Sequence, residues 1–211
     1  MENDLHIDCI ENILSALIET GWVELPGFLS NSQLQTLREL AEHYLQQGQF
    51  RQASIGSGNT QVSNPNIRSD QIMWLDEQVN AENAALADLQ QFLDQLRLQI
   101  NQALYLGLFE TEVHFALYPS GGHYQKHIDN FHGRSSRMLT FILYLNDNWL
   151  MEQGGQLRLY TSETDLQSYT DIIPQGGTLV VFLSERFYHE VLPASRERLS
   201  LTGWLRRREN G

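Results

Sequence analysis

The stretch "GGHYQKHIDNF", positions 121 to 131, sets an imidazole and a carboxylate two places apart, at His127 and Asp129. Residues of one parity in an extended strand point to one face, so this spacing predicts that both side chains converge on a single point. A histidine and an aspartate are half of a metal site. The other half lies far downstream in "VVFLSERFYHEVLPASRERLSLTGW", where His189 opens one predicted strand and Arg198 enters the next. Two histidines and one carboxylate on a β scaffold make the facial triad of non-haem Fe(II), which leaves coordination positions open for chemistry. A structural zinc site would close four positions, typically with cysteines, and the chain has one cysteine, Cys9.

Arg198 supplies a separate argument. A guanidinium inside a narrow barrel is costly unless it meets an anion, and its planar fork suits a carboxylate. Arg198, Ser200, Thr202 and Trp204 share a parity and predict an inward polar row. Tyr144 in "RMLTFILYLN" can reach the same carboxylate, and Tyr118 in "ALYPSGG" lies one strand earlier. Plainer readings stand beside these: a surface ion pair of Arg198 with Glu197 or Glu190, and Tyr118, Tyr144 and Trp204 as ordinary core aromatics. His114, His123 and His132 compete for ligand duty. His123 has the parity of His127 but lies roughly 13 Å away along a strand, and His132 reads as a turn residue facing solvent or substrate.

The elements that must position these groups fall into two halves, helical to residue 107 and strand-rich from 108 to 206. Ile10, Ile13, Leu14, Leu17 and Ile18 recur at helical spacing and Gly21 ends the run. A short strand in "WVELPGF" leads to Ser30, an N-cap for a second helix that Gly48 stops. Residues 51 to 70 carry Gly, Ser, Asn and Pro and read as a loop or loosely paired hairpin, either functional or merely flexible. From Ala81 to Gly107, Leu86, Leu89, Leu93, Leu96, Ile100 and Leu104 line one face of a long helix able to cover a sheet. After Gly107 come short β-rich runs separated by turn residues, which predict a barrel or two-sheet roll backed by the helices.

With 211 residues and 41% apolar content the chain reads as one domain, 1–211. The formal charge of −12 repels polyphosphate and argues against nucleic-acid and anionic-membrane partners. The basic run Arg206 to Arg208 reads as a solvated strand end. No stretch approaches the roughly 20 apolar residues of a membrane span. The start "MENDLHIDC" lacks a secretory pattern and one cysteine excludes an internal disulfide, so the expected location is the cytoplasm.

His127-x-Asp129, His189 and Arg198 nine residues further on, with Tyr118-Pro119, "YLN" from Tyr144 and the "GGQLRLY" strand, resemble the Fe(II)- and 2-oxoglutarate-dependent dioxygenases. Within that superfamily they are most similar to prolyl hydroxylases of the oxygen-sensing type and their bacterial relatives. Residues 66 to 77, "NIRSDQIMWLDE", resemble those enzymes' substrate-covering finger loop. The resemblance implies an α+β fold with a double-stranded β-helix, or jelly-roll, core. It implies Fe(II) on His127, Asp129 and His189, and 2-oxoglutarate with its distal carboxylate on Arg198 and Tyr144. Tyr118, Thr202 and Trp204 would line the cosubstrate cavity, and Arg68 and Asp70 would organise the finger loop. It further implies O2 as cosubstrate, succinate and CO2 as coproducts, ascorbate as a reductant, and a prolyl residue in a protein as target, with elongation factor Tu a known kind of substrate among bacterial relatives. The connection "NFHGRSSR" and the short tail after Trp204 depart from the animal enzymes. Two other expectations are a small-molecule 2-oxoglutarate oxygenase and a non-catalytic metal- or ligand-binding β roll.

Overall fold

A computed structural model of the protein describes residues 2–54, 62–76, 83–131, 135–162, 165 and 167–208, with side chains from residue 8 onward. His132, Ala81, Glu77 and residues 55–61 of the expected loop lie outside the described residues.

Helix α1 (Glu2–Glu19) buries Ile10, Ile13 and Leu17, but Ile18 is 62% exposed, contrary to the expected apolar face. Leu17 takes the buried side of the stripe, and Ile18, turned about 100° further round the helix, falls beyond its edge. Helix α2 (Asn31–Gln46) starts in a capping box: Ser30 Oγ accepts from Gln33 N–H at 3.3 Å and Gln33 Oε1 accepts from Ser30 N–H at 3.0 Å. Helix α3 (Ala84–Leu104) is capped by Asn83, whose Oδ1 accepts from Ala85 and Leu86 N–H. Leu86, Leu89, Leu93, Leu96 and Ile100 are buried as the spacing predicts. The helix ends at Tyr105 (φ 55°), short of Gly107, because the Asn101 amide takes both backbone groups of Leu108 and turns the chain into the next strand.

Two antiparallel sheets follow. The larger contains β1 (Trp22–Leu25), β2 (Arg51–Gln52), β3 (Gln71–Leu75), β4 (Leu108–Tyr118), β6 (Arg137–Tyr144), β9 (Leu179–Leu183) and β11 (Arg198–Arg207), in the order β1-β9-β6-β11-β4-β3-β2. The smaller contains β5 (Tyr124–His127), β7 (Leu157–Tyr160), β8 (Tyr169–Ile172) and β10 (His189–Val191), in the order β5-β10-β7-β8. This is the α+β jelly roll.

Strand parity decides what each residue meets. On β6, Leu139, Phe141 and Leu143 join the helices' apolar residues in one core. Ile142 and Tyr144 point the other way, into a second apolar group with Leu157, Leu159 and Phe182 between the sheets. On β11, Leu201 and Leu205 belong to the helix-side core, whereas Arg198, Ser200, Thr202 and Trp204 line a cavity between the sheets.

Candidate active site

His127 closes β5, His189 opens β10, and the two are direct partners in the ladder, with ring centroids 4.2 Å apart. Asp129 lies past the end of β5, so it reaches the histidines by the chain leaving the strand, and not by the parity that the two-residue spacing predicts. Its Oδ1 is 3.7 Å from His127 Nε2 and its Oδ2 is 3.6 Å from His189 Nε2. One ligand atom from each residue fits within 4.8 Å of the others; among the described residues these three alone form such a cluster. His114 and His123 are outside it.

Each ligand is oriented from behind. His127 Nδ1–H donates to the carbonyl of Gln125 at 2.8 Å and His189 Nδ1–H to that of Phe187 at 3.1 Å, which leaves both Nε2 lone pairs facing Asp129. Tyr124 stacks on His127 at 3.6 Å. Asp129 Oδ2 accepts from Thr140 Oγ1 at 2.7 Å and from Trp204 Nε1 at 3.0 Å. Burial opposes its ionisation, but His189, His127 and these two hydrogen bonds prevail and bring its pKa down to about 2. Burial, then the neighbouring His189, pushes His127 down to about 3 against the pull of Asp129. A carboxylate beside a neutral imidazole is the protonation state that binds a divalent metal.

At the closed end, Arg198 is 1% exposed, which excludes a surface ion pair. Its Nε–H donates to the carbonyl of Gly155 at 2.9 Å, and its Cζ lies 5.1 Å from the Tyr118 ring and 5.0 Å from the Tyr144 ring. Gly155 is required there: its φ is +72°, and a Cβ would come within 2.9 Å of Trp149 and 3.4 Å of Arg198 Cδ. Arg198 Nη2 and Tyr144 Oη are both buried without a hydrogen-bond partner. Burial pushes the Tyr144 phenol up to about 12, although nearby Arg198 opposes it, so the hydroxyl keeps its proton as a donor. Two unmet donors side by side, one cationic, fit a carboxylate.

At the rim, Arg68 and Asp70 form a bidentate pair, Nε to Oδ1 at 2.6 Å and Nη2 to Oδ2 at 2.8 Å, with Asp70 fully buried. Burial alone would lower the Arg68 pKa; the hydrogen bond and charge of Asp70 raise it. Residues 67–69 are stitched to the β5 edge: Gln125 N–H donates to Ile67 O, Ser69 N–H to His123 O, and His123 N–H to Ser69 Oγ. This part of the 51–70 segment is therefore paired structure.

One pocket gathers His127, Asp129, His189, Arg198, Tyr118, Thr202, Trp204, Arg68 and Asp70. Tyr144 does not line it but packs against Arg198 from the apolar layer between the sheets. Trp204 sits on Asp129, several residues along β11 from Arg198. Sequence reasoning missed Thr140, Tyr124 and Arg137; for Thr140 the signal was a hydroxyl at the parity of Tyr144 within an apolar strand. It also misread Arg206 as solvated. Arg206 bonds Ser136 at 2.8 Å, Glu110 at 3.1 Å and Glu112, while Glu112 also holds Arg137, whose guanidinium lies 3.4 Å from the Trp204 ring. Despite the chain's net charge of −12, the pocket lining carries Arg68, Arg137 and Arg198 against Asp70 and Asp129. An anion entering it meets local attraction.

The fold and site define a class, the 2-oxoglutarate and Fe(II) oxygenases, and known proteins agree. Residues 113–206 match the model of the 2OG-Fe(II) oxygenase superfamily. Prolyl hydroxylase EGLN3 of Mus musculus is 30% identical over 212 residues, covering 97% of this chain and 86% of its own length. The hypoxia-inducible factor prolyl hydroxylase of Caenorhabditis elegans is 31% identical, and the match spans 92% of this chain but 28% of that protein. The crystal structure of a Pseudomonas putida prolyl-4-hydroxylase superposes with TM-score 0.82 at 40% identity, covering 95% of this chain and all of that one. A Trichoplax adhaerens prolyl hydroxylase in complex with a hypoxia inducible factor oxygen degradation domain peptide gives TM-score 0.84 at 30% identity, covering 97% and 92%. The chain belongs to the 2OG-Fe(II) oxygenase superfamily, in its prolyl hydroxylase branch. It is a 2-oxoglutarate-dependent dioxygenase, and the family requires Fe(II), 2-oxoglutarate and O2. Among the described residues no helix is long and apolar enough to cross a membrane.

Proposed function

We propose that this chain hydroxylates a prolyl residue within a protein, with His127, Asp129 and His189 holding Fe(II) and with Arg198 and Tyr144 binding the distal carboxylate of 2-oxoglutarate. The observation that carries the proposal is the sharing of one region by a three-ligand cluster and two buried, unmet donors. Bound together, Fe(II), 2-oxoglutarate and O2 supply the oxidising chemistry that hydroxylates a C–H bond while 2-oxoglutarate is converted to succinate and CO2. The chain's residues do the rest. Gly155 and Tyr118 fix the Arg198 guanidinium, Thr140 and Trp204 hold Asp129 ionised and oriented, and the Gln125 and Phe187 carbonyls set the imidazole tautomers.

Thr202 lines the wall between these groups, and the Arg68–Asp70 pair keeps the rim segment against β5, where a polypeptide can lie across the mouth. Residues 1–211 act as one dioxygenase domain, 1–107 as support and 108–206 as catalytic roll. Elongation factor Tu is the first protein to test, on the resemblance to bacterial relatives; ascorbate as reductant rests on the same resemblance. A cytoplasmic location follows from the composition and the single cysteine.

An anaerobic titration with Fe(II) and 2-oxoglutarate tests the site: a visible charge-transfer band is expected in the wild type and absent in His189→Ala. Iron binding without that band would defeat the 2-oxoglutarate assignment. Gain of one oxygen atom at proline, read by mass spectrometry on elongation factor Tu and on a pool of end-blocked peptides with a central proline, tests the substrate class.

A further inference from the structure

One wall group of the pocket has no part in the chemistry above. His114 sits on β4 between Thr202 of β11 and Trp74 of β3, on the face that also carries Ala116 and Tyr118. Its ring stacks on Trp204 with centroids 5.4 Å apart and planes at 24°, and meets Trp74 at 4.7 Å. The residue is 1% exposed, and neither Nδ1 nor Nε2 has a hydrogen-bond partner. Burial, reinforced by the charges of Arg68 and Arg137, holds the imidazole neutral, with one N–H to give and one lone pair to fill.

A leucine or methionine would fill this space without leaving two polar atoms unmet, so the imidazole calls for a ligand that meets them. Position indicates which ligand. Thr202, opposite His114, is four residues from Arg198, or roughly 13 Å along the strand. His114 therefore stands at the level of Thr202 with its ring against that of Trp204, which bonds Asp129, and away from the Arg198 end where the cosubstrate's carboxylate is satisfied. Its cover is the one ring of the trio that reaches solvent: Trp74 is 48% exposed, and β2 pairs only with Gln71 and Ile72, which leaves the strand edge at Trp74 unpaired among the described residues. A group entering past Trp74 meets the imidazole beside the metal ligands. A peptide backbone offers both an acceptor carbonyl and a donor amide.

We propose that His114 is a specificity-determining residue whose imidazole hydrogen-bonds the backbone of the bound peptide beside the target residue, with Trp74 moving to admit that backbone and then covering the contact. This assignment rests on the peptide-substrate reading above.

The test uses the full chain with Mn(II) in place of Fe(II), anaerobically with 2-oxoglutarate. The probe is the end-blocked central-proline peptide that wild-type enzyme oxygenates best from the pool. His114→Leu is expected to weaken peptide binding about tenfold while the Mn(II) and 2-oxoglutarate dissociation constants stay within about twofold. The peptide-free His114→Leu protein should melt at the wild-type temperature or above it, since two orphaned atoms are gone. His114→Gln, which keeps a donor and an acceptor, should recover most of the peptide affinity. Unchanged peptide binding in His114→Leu overturns the assignment. So does parallel loss of peptide, Mn(II) and 2-oxoglutarate, which marks a structural role, and so does a His114→Gln as weak as His114→Leu. A wild type that forms the iron chelate band yet oxygenates no peptide in the pool overturns the peptide reading, and this assignment with it.

Discussion

Thr140 and Phe141 are neighbours on β6, yet Phe141 is packed in the helix-side core while Thr140 donates to Asp129 across the cavity. The same division runs along β11, where Leu201 and Leu205 face the helices and Arg198, Thr202 and Trp204 face the cavity. The helix side rests on apolar burial, which is non-directional and tolerates volume-conserving exchange. The cavity side has a smaller apolar layer around Ile142, Leu157 and Phe182 and, beside it, directional bonds, several of them left open for a ligand, and open polar groups in a buried place cost stability. One sheet thus keeps its larger apolar core on one face and the site's polar groups on the other. Substitutions on the two faces should move different measurements.

The largest effect expected is in His189→Ala, which should weaken Mn(II) or Fe(II) binding by more than about a hundredfold while leaving the thermal midpoint nearly unchanged; metal titration beside a melt measures both. Retained affinity would show that Asp129 and His127 suffice. Next, Phe141→Ala should lower the unfolding free energy by about 3–5 kcal/mol in urea titration, with the metal affinity of the folded protein within about twofold of wild type. Metal loss that tracks the stability loss would break the division between faces. Arg198→Leu should reduce 2-oxoglutarate affinity roughly a hundredfold with Mn(II) affinity kept, and the apoprotein should be about as stable, because the bond to Gly155 O is lost but a buried cation with an unmet Nη2 is replaced by an apolar side chain. Equal loss of metal and cosubstrate binding would count against the role given to Arg198. The smallest effect belongs to Thr140→Val. Removing one of two hydrogen bonds to Asp129 Oδ2 should cost about tenfold in metal affinity and leave the urea midpoint in place, the inverse of its neighbour.

Much of this was legible because strand parity and helix spacing are local. The row Arg198, Ser200, Thr202, Trp204 reads as one face from a period of two, and the structure keeps it as one wall of the pocket. Ser30 reads as a cap because a serine stands directly before the helical run, and the structure adds Gln33, three residues on, as its capping-box partner. Locality also set the errors. Ile18 continued an apolar run that the helix turn carries off the core, and Arg206 looked solvated because Glu110 and Glu112, its partners, lie on another strand. Asp129 was expected to join His127 by strand alternation, but the chain has already left β5 when it reaches the site.

The amino-acid sequence alone determined which groups could do chemistry and the two periodicities that place them on faces, because those depend only on side-chain type and on rises and turns of a few ångströms. Tertiary structure decided the rest. It brought β5 and β10 into register so that His127 meets His189, put Gly155 under Arg198, aimed Thr140 and Trp204 at Asp129, and left His114 without a partner beside them. Each of those contacts joins strands distant in the chain, so its existence depends on how the two sheets close on one another, and no local pattern encodes that distance.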